Sequence, residues 1–331
     1  MNQFETANNL FAKISEENPH ITPITPEDRH IFIDFFKNEK YSYGNSWPYI
    51  VQGMYGIGPH NLGYKYYDGK NLAAISINAR IEDPRVYVLY WVRPMGPNMM
   101  NIISTLADSF LKTYNLPTAA TKLFETQYND LIKLGFTDVL HLPWHSTAPM
   151  EDDTHPEVIN DVEKTVTNSD KKERTKKAVK QYERINELVE VKPVITKADL
   201  DAAWQVACAF FEQQLPSLTS NLSSKNDYYN LIYLQNDPQY HKFLIYKGNN
   251  PVGFFDYYAY NETYACAYAS LMLRQVIPNL EDFTMIWLFN EIHKKGFKLL
   301  NQGGSETDGM DDYKKKFSVH SEQRMYWCIK K

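Results

Sequence analysis

Apolar positions along this chain recur with two periods, and the switches between them mark the elements. From Phe283 to Phe317 the sequence reads FTMIWLFNEIHKKGFKLLNQGGSETDGMDDYKKKF. Met285, Leu288, Phe289 and Ile292 recur at helical spacing, and Gly296 closes that helix. Phe297, Leu299 and Leu300 form a short apolar run of strand length. Gln302-Gly303-Gly304-Ser305 is a loop. Thr307 and Asp308 are cap-type residues ahead of a short helix whose Met310, Tyr313 and Phe317 share a face. The order is helix, strand, Gly-rich loop, helix. A polar loop that leaves a strand and enters a helix is where α/β proteins usually bind ligands.

The same reading extends to the rest. Phe4, Ala7, Phe11 and Ile14 line one face of a short N-terminal helix. Thr25-Pro26-Glu27-Asp28 starts another, with Ile31, Phe32, Phe35 and Phe36 inward. Tyr41 to Gly63 reads as a long aromatic, Gly-rich connection. Strands follow at Leu62–Tyr67, Leu72–Ala79 and Arg85–Val92, the first two joined by an Asp68-Gly69 turn. Pro94 to Asn98 breaks the third. Met99–Tyr114 is a helix, Thr118–Phe124 a strand and Tyr128–Leu134 a short helix. In the second half Val189–Ile195 is a strand, and Lys197–Gln213 and Asp227–Gln235 are helices. Phe243–Tyr246, Val252–Tyr260 and Tyr264–Leu273 are strands, ahead of the helix described first. A last strand is expected at Glu322–Ile329.

Three landmarks recur in the same order about 180 positions apart. They are the turns at Gly69 and Gly248, the pairs Pro97-Asn98 and Pro278-Asn279, and the endings at Phe136 and Phe317. This predicts an internal duplication and an α+β fold with mixed sheets. The expected organisation is an N-terminal extension over 1–20, a first and degenerate domain over 21–143, a linker with a basic helix over 144–186, and a second, active domain over 187–331.

Composition narrows the function. The 331 residues exceed one typical domain, and 43% hydrophobic residues suffice for real cores. A net charge of -5 gives no global nucleic-acid signature, so any such contact is local. Cys208, Cys266 and Cys328 are scattered, without metal or disulfide spacing, which fits a reducing cytosol. The first residues lack the basic start and apolar stretch of a signal peptide. The expected location is the cytoplasm, with peripheral contact at the inner membrane face left open. The one dense basic cluster, Lys171 to Arg184, falls on a helix that Asn168-Ser169-Asp170 would cap.

The order of elements in each repeat resembles the GNAT acyltransferase fold. The tandem arrangement is similar to Fem-type aminoacyltransferases and to the catalytic (DUF2156) domain of phosphatidylglycerol lysyltransferases. The most specific motif is Asn301-Gln302-Gly303-Gly304-Ser305 followed by Gly309, Tyr313-Lys314 and Phe317. It resembles the N-x-G-x-S and Y/F-K-x-x-F ending of that group. The basic helix resembles the K-x-x-R-x-x-I helix that precedes their second domain. One departure from acetyl-CoA-using GNAT proteins stands out. Their pyrophosphate loop, Q/R-x-x-G-x-G/A, is replaced here by Leu273-Arg274-Gln275-Val276-Ile277-Pro278-Asn279 and by Val92-Arg93-Pro94-Met95-Gly96-Pro97-Asn98. The glycines are missing and the prolines remove N–H donors. The resemblance therefore implies an aminoacyl ester on tRNA as donor, and no cofactor beyond the donor itself.

Aminoacyl transfer requires a positioned acceptor amine or hydroxyl and donors for an oxyanion. Under the resemblance Lys314, Ser305 and Asn301 are the candidate catalytic residues. Gly303, Gly304, Tyr257, Tyr258, Arg274 and Tyr313 are candidates for binding substrate. Lys171, Lys172, Arg174 and Lys177 are candidates for tRNA phosphates. Glu306 and Asp308 are the nearest carboxylates for a general base. Structural roles compete with each: a solvated helix lysine for Lys314, a turn cap for Ser305, a satisfied strand-edge amide for Asn301. Packing competes for Tyr257 and Tyr258, which alternation sends to opposite faces, an ion pair for Arg274, capping for Asp308 and a solvated face for the basic helix. The acceptor is a small molecule, lipid or peptide. Two other readings stand beside this one: an acyl-CoA N-acyltransferase with an atypical phosphate loop, and a non-catalytic GNAT-fold binding module.

Overall fold

The computed structural model describes residues 3–54, 63–79, 87–138, 156–214, 225–234, 237–305 and 307–331. Part of the aromatic connection, Arg85, the acidic linker stretch from Thr147, the loop from Leu215 and the carboxylate candidate Glu306 lie outside the described residues. The chain divides into two compact units, 1–156 with 324–331, and 157–323.

The first unit contains α1 (Gln3–Glu17), β1 (Ile21–Pro23), a 3-10 turn (Pro26–Asp28) and α2 (Arg29–Phe36). Then follow α3 (Trp47–Met54), β2 (Tyr64–Tyr67), β3 (Leu72–Ala79) and β4 (Tyr87–Met95). After these come α4 (Met99–Tyr114), β5 (Thr118–Leu123), α5 (Glu125–Lys133) and β6 (Thr137–Asp138). Strands β1 to β4 are antiparallel neighbours, and β5 runs parallel to β4. Ile103 and Phe110 of α4 meet Ile75, Leu89 and Trp91 in one core, as the 3.6-residue spacing requires. Ala7, Phe11 and Ile14 of α1 enter the same core, and Phe11 stacks on Tyr64 at 3.8 Å. Burial of each such large side chain contributes about 1.5–3 kcal/mol. The N-terminal segment is therefore an integral helix of this unit.

The second unit contains β7 (Glu157–Asp161), α6 (Val162–Thr167), α7 (Glu173–Asn186) and β8 (Glu190–Pro193). Next are α8 (Lys197–Gln214), α9 (Lys225–Tyr233), β9 (Tyr240–Lys247), β10 (Asn250–Ala259), β11 (Tyr264–Cys266) and β12 (Ser270–Met272). It finishes with α10 (Leu280–Lys294), β13 (Leu299–Asn301), α11 (Asp308–Lys314) and β14 (Val319–Gln323). The sheet order is β14-β7-β13-β11-β10-β9-β8, with β12 also paired to β10. The only parallel pairing among these described strands is β11 with β13. Helix α7 packs on α10 through Ala178 and Ile185, and Tyr182 stacks on Phe283 at 5.4 Å. Along the chain α7 precedes β8 as α1 precedes β1.

The expected strand Glu322–Ile329 is two strands. Polar VHSEQ forms β14 at the edge of the second sheet, while apolar YWCIK forms β15 (Tyr326–Lys330) in the first, between β5 and β6. The strand that follows the first repeat, β7, lies in the second sheet between β13 and β14. Each sheet is thus completed by the strand that ends the other repeat. This differs from the expected boundaries at 144–186 and 187–331, because residues from Glu157 onward belong to the second unit and Arg324–Lys331 to the first. Two helices were not anticipated. Trp47–Met54 lies in the supposed loop, and Val162–Thr167 ends at Asn168 (φ 46°), so Asn168 closes α6 and Lys172 is the N-cap of α7.

Candidate active site in the second unit

The parallel strands β11 and β13 pair as far as Cys266 opposite Asn301, and Ala267 N then donates to Asn301 O at 3.0 Å. Beyond that point they part. Gln302 N donates to Val158 O and Val158 N to Gly303 O, so this edge leaves with β7. The other edge is interrupted at residues 267–269 and resumes as β12 against β10. Two strands that diverge at their carboxyl ends expose backbone that neither can satisfy for the other, and ligands bind at such points. Gly303, Gly304 and Ser305 form the diverging edge, and Gly303 has φ 70°, a conformation that favours glycine.

A buried amide network holds this edge. Asn301 Nδ2 donates to Glu157 Oε2 at 2.8 Å and to the Tyr264 hydroxyl at 3.0 Å. Its Oδ1 accepts the Gly303 N–H at 2.8 Å. Gln302 Nε2 donates to Asn160 Oδ1 at 2.5 Å, and Asn160 Nδ2 to Lys314 O at 3.3 Å. Burial holds the Tyr264 phenol well above its ordinary pKa, so it stays a neutral hydroxyl. The Lys314 ammonium donates to the carbonyl oxygens of Gly303, at 3.3 Å, and of Gly304. It clamps the loop by its carbonyls. Ser305 is fully buried, and its Oγ has no hydrogen-bond partner among the described residues. Desolvating a hydroxyl without a partner costs about 1–3 kcal/mol, so this one calls for an explanation. Thr307 caps α11 by accepting from Met310 N at 3.2 Å, and Asp308 opens that helix's first turn.

A second buried cluster stands where the broken strand meets β10. Asp256, fully buried, accepts the N–H groups of Tyr268 and Ala269 at 2.9 Å each and the Tyr240 hydroxyl at 2.5 Å. Its carboxylate satisfies the amides that the interruption frees. Burial pushes its pKa up to about 6, against the pull of these donors and of Lys242. Burial pushes Lys242 down to about 8, and its ammonium donates to Ile232 O and Leu234 O at 2.7 Å each, at the end of α9. In the sequence Asp256 reads as one acid in an apolar strand, and Lys242 gives no signal of its own.

The other candidates fall into separate places. Tyr258 shares the Asp256 face and donates to Gln239 Oε1 at 3.0 Å. Tyr257 points the other way, where Lys295 donates to its hydroxyl at 2.7 Å and His241 stacks on it at 4.6 Å. Tyr313 is half-buried against Phe317, with its phenol held well above the ordinary pKa by burial and by Asp282. Arg274 is ion-paired with Glu281. Lys172 donates to Lys315 O and Phe317 O, at 3.3 and 2.7 Å, and Arg174 makes a two-pronged pair with Asp312. Lys171 and Lys177 are exposed.

Mixed sheets with one parallel, diverging pair, repeated twice in the same order of elements, define the tandem GNAT architecture, and solved structures agree. The chain is similar to the DUF2156 C-terminal domain of a putative lysylphosphatidylglycerol synthetase from Agrobacterium fabrum, at 10% identity and TM-score 0.63, over 92% of each chain. It is similar to FemX at 11% identity and TM-score 0.60, over 93% of this chain and 96% of that one. It is also similar to a tandem GNAT protein from the clavulanic acid biosynthesis pathway, at 8% identity and TM-score 0.52, over 94% and 97%. At these identities the likeness is one of fold. No protein-family model and no curated protein sequence matches the chain. Among the described residues no helix is long and apolar enough to cross a membrane.

Proposed function

We propose that the second unit is an acyltransferase centre that takes an aminoacyl group from aminoacyl-tRNA and passes it to an amine or hydroxyl. The observation that carries this reading is the buried Ser305 hydroxyl, without a partner among the described residues, on the diverging edge of β13 beside a loop clamped by Lys314. A carbonyl seated at the divergence would gain the hydrogen bond that Ser305 lacks, and that bond strengthens as charge develops on the oxygen. The acceptor nitrogen or oxygen attacks the ester carbonyl and a new C–N or C–O bond forms. The ester C–O bond to the ribose then breaks, and the proton lost by the acceptor ends on the released ribose hydroxyl.

The helix that would meet a CoA pyrophosphate argues against CoA as donor. The first turn of α10 carries Glu281 and Asp282, paired with Arg274 and Lys316 respectively, so the chain's own carboxylates take the anion seat at that N-terminus. Asn279 precedes the helix in a left-handed conformation, after Pro278.

The test is retention of mixed radiolabelled aminoacyl-tRNA on a filter, with and without excess acetyl-CoA. Retention that survives acetyl-CoA and falls steeply with salt is expected. Retention lost to acetyl-CoA would move the assignment to an acyl-CoA enzyme, and none at low salt would end the tRNA reading in favour of a binding module.

A further inference from the structure

A cavity of about 140 Å³ lies among α6, α7 and α10 of the second unit and opens beside the exposed Glu183. None of residues 301–305 lines it, so the centre at the diverging edge does not use it. Its walls follow from helical spacing. Val179, Tyr182 and Glu183 stand at i, i+3 and i+4 on α7, and Ile286, Phe289 and Asn290 stand at the same spacing on α10. Each triplet shares one helix face, and the two faces meet along the seam where Tyr182 stacks on Phe283. Thr165 and Val166 of α6 complete the lining. Val166 and Val179 are short for such a seam, and the space that a longer side chain would fill stays open.

The lining has two characters. Ile286 and Phe289 are buried and, with the two valines, make one part apolar. The Tyr182 hydroxyl, the Glu183 carboxylate and the Asn290 amide make the other part polar, and none has a hydrogen-bond or ion-pair partner among the described residues. Thr165, by contrast, spends its hydroxyl on Asp161 O at 2.7 Å and on Ser318 N at 3.2 Å. A carboxylate, an amide oxygen and a phenol oxygen are three acceptors, one of them charged, and a primary ammonium carries three N–H donors and no acceptor. A cavity of roughly 150 Å³ suffices for a body the size of benzene. No cation lines this one, so an anionic ligand would meet Glu183 unopposed.

We propose that this cavity is a binding site for a small primary amine with an apolar body. The hydrocarbon lies against Ile286 and Phe289, and the ammonium is held by Glu183 and Asn290. A ligand that touches α6, α7 and α10 together braces the basic helix on the core, so binding raises the thermal midpoint. The site is independent of which donor the second unit uses.

The full chain is titrated with 2-phenylethylamine, with neutral 2-phenylethanol and with anionic 3-phenylpropanoate, at equal ionic strength. Calorimetry and the thermal midpoint are the readouts. The amine should bind saturably, the alcohol several-fold more weakly, and the anion not at all. Glu183→Gln, a change at an exposed position, should weaken the amine several-fold and leave the alcohol unchanged. Val179→Phe fills the cavity and should abolish binding of both while the ligand-free midpoint holds or rises. No saturable response of the wild type to the amine overturns the site, as does unchanged affinity in Val179→Phe. Equal affinity for amine and alcohol overturns the ammonium seat. Should Val179→Phe fail to fold, Glu183→Gln decides, since unchanged amine affinity there overturns the proposal as well.

Discussion

The side-chain amide of Asn301 donates to the carboxylate of Glu157 at 2.8 Å, across 144 residues of sequence, with both side chains fully buried. Glu157 opens β7, the strand that separates β13 from β14, so one hydrogen bond ties the loop of the candidate site to the strand inserted beside it. Asn301→Ala should cost about 2–4 kcal/mol, because it takes one donor from a buried carboxylate and one hydrogen bond each from the Tyr264 hydroxyl and the Gly303 N–H. Asn301→Asp should cost more, since it sets two carboxylates together. Urea midpoints of both variants check this, and an Asn301→Asp protein as stable as wild type would contradict the network.

Ser305 and Lys314 should separate stability from activity. Ser305→Ala removes a buried hydroxyl with no partner among the described residues, so stability should hold or rise by about 1 kcal/mol. Transfer should fall by about 10²-fold, the size typical of one lost oxyanion donor. Lys314→Met releases the Gly303 and Gly304 carbonyls and should abolish transfer while far-UV circular dichroism is retained. Wild-type turnover in either variant would remove that residue from the centre.

The parts of this fold that could be read from sequence are those fixed locally. The Gly69 and Gly248 turns adopt positive φ, and the helix from Leu280 ends just before Gly296, as spacing and turn chemistry require. The Asn301–Ser305 edge is a strand end followed by a loop for the same reason. What sequence did not show depends on distant partners. Glu157–Asp161 is five residues at the end of an acidic linker, and only β13 and β14, far along the chain, make it a strand. The run from Tyr264 to Leu273 reads as one strand because its break is held by Asp256, a residue on another strand. The left-handed backbone at Arg93 and Lys122 has no sequence signal, because glycine is the residue that usually marks it.

Asp256 and Lys242 predict opposite limbs in the pH dependence of stability. Asp256 rises from 3.8 to about 6 on folding, so the folded chain binds this proton more readily than the unfolded one. Stability then falls as pH rises from about 4 to about 6, by up to about 3 kcal/mol, and stays lowered above that. Lys242 drops from 10.5 to about 8, so the unfolded chain binds its proton more readily and stability recovers between those values. Asp256→Asn should gain on wild type between pH 4.5 and pH 7, and Lys242→Met should flatten the alkaline limb. A stability difference between Asp256→Asn and wild type that stays constant from pH 4.5 to 7 would show that Asp256 titrates as an ordinary carboxylate.

The basic helix divides into cations that hold the fold and cations that remain at the surface. Lys172 donates to the carbonyls of Lys315 and Phe317 just past α11, so Lys172→Ala should destabilise the chain by about 1–3 kcal/mol. Arg174 is held by Asp312 in an exposed pair that solvent and salt screen, so it adds little to stability. Lys171 and Lys177 are exposed, and each that meets a tRNA phosphate adds close to one unit to the slope of log affinity against log salt. Lys171→Gln with Lys177→Gln should therefore lower that slope by about two and leave the urea midpoint unchanged. Arg174→Gln should lower it less, because Asp312 already neutralises the guanidinium and would be left as an added negative charge. Filter retention at a series of salt concentrations measures all three. A slope unaffected by the double lysine change would place the tRNA backbone on another face, while a lowered midpoint in that variant would mean that these lysines, like Lys172, serve the fold.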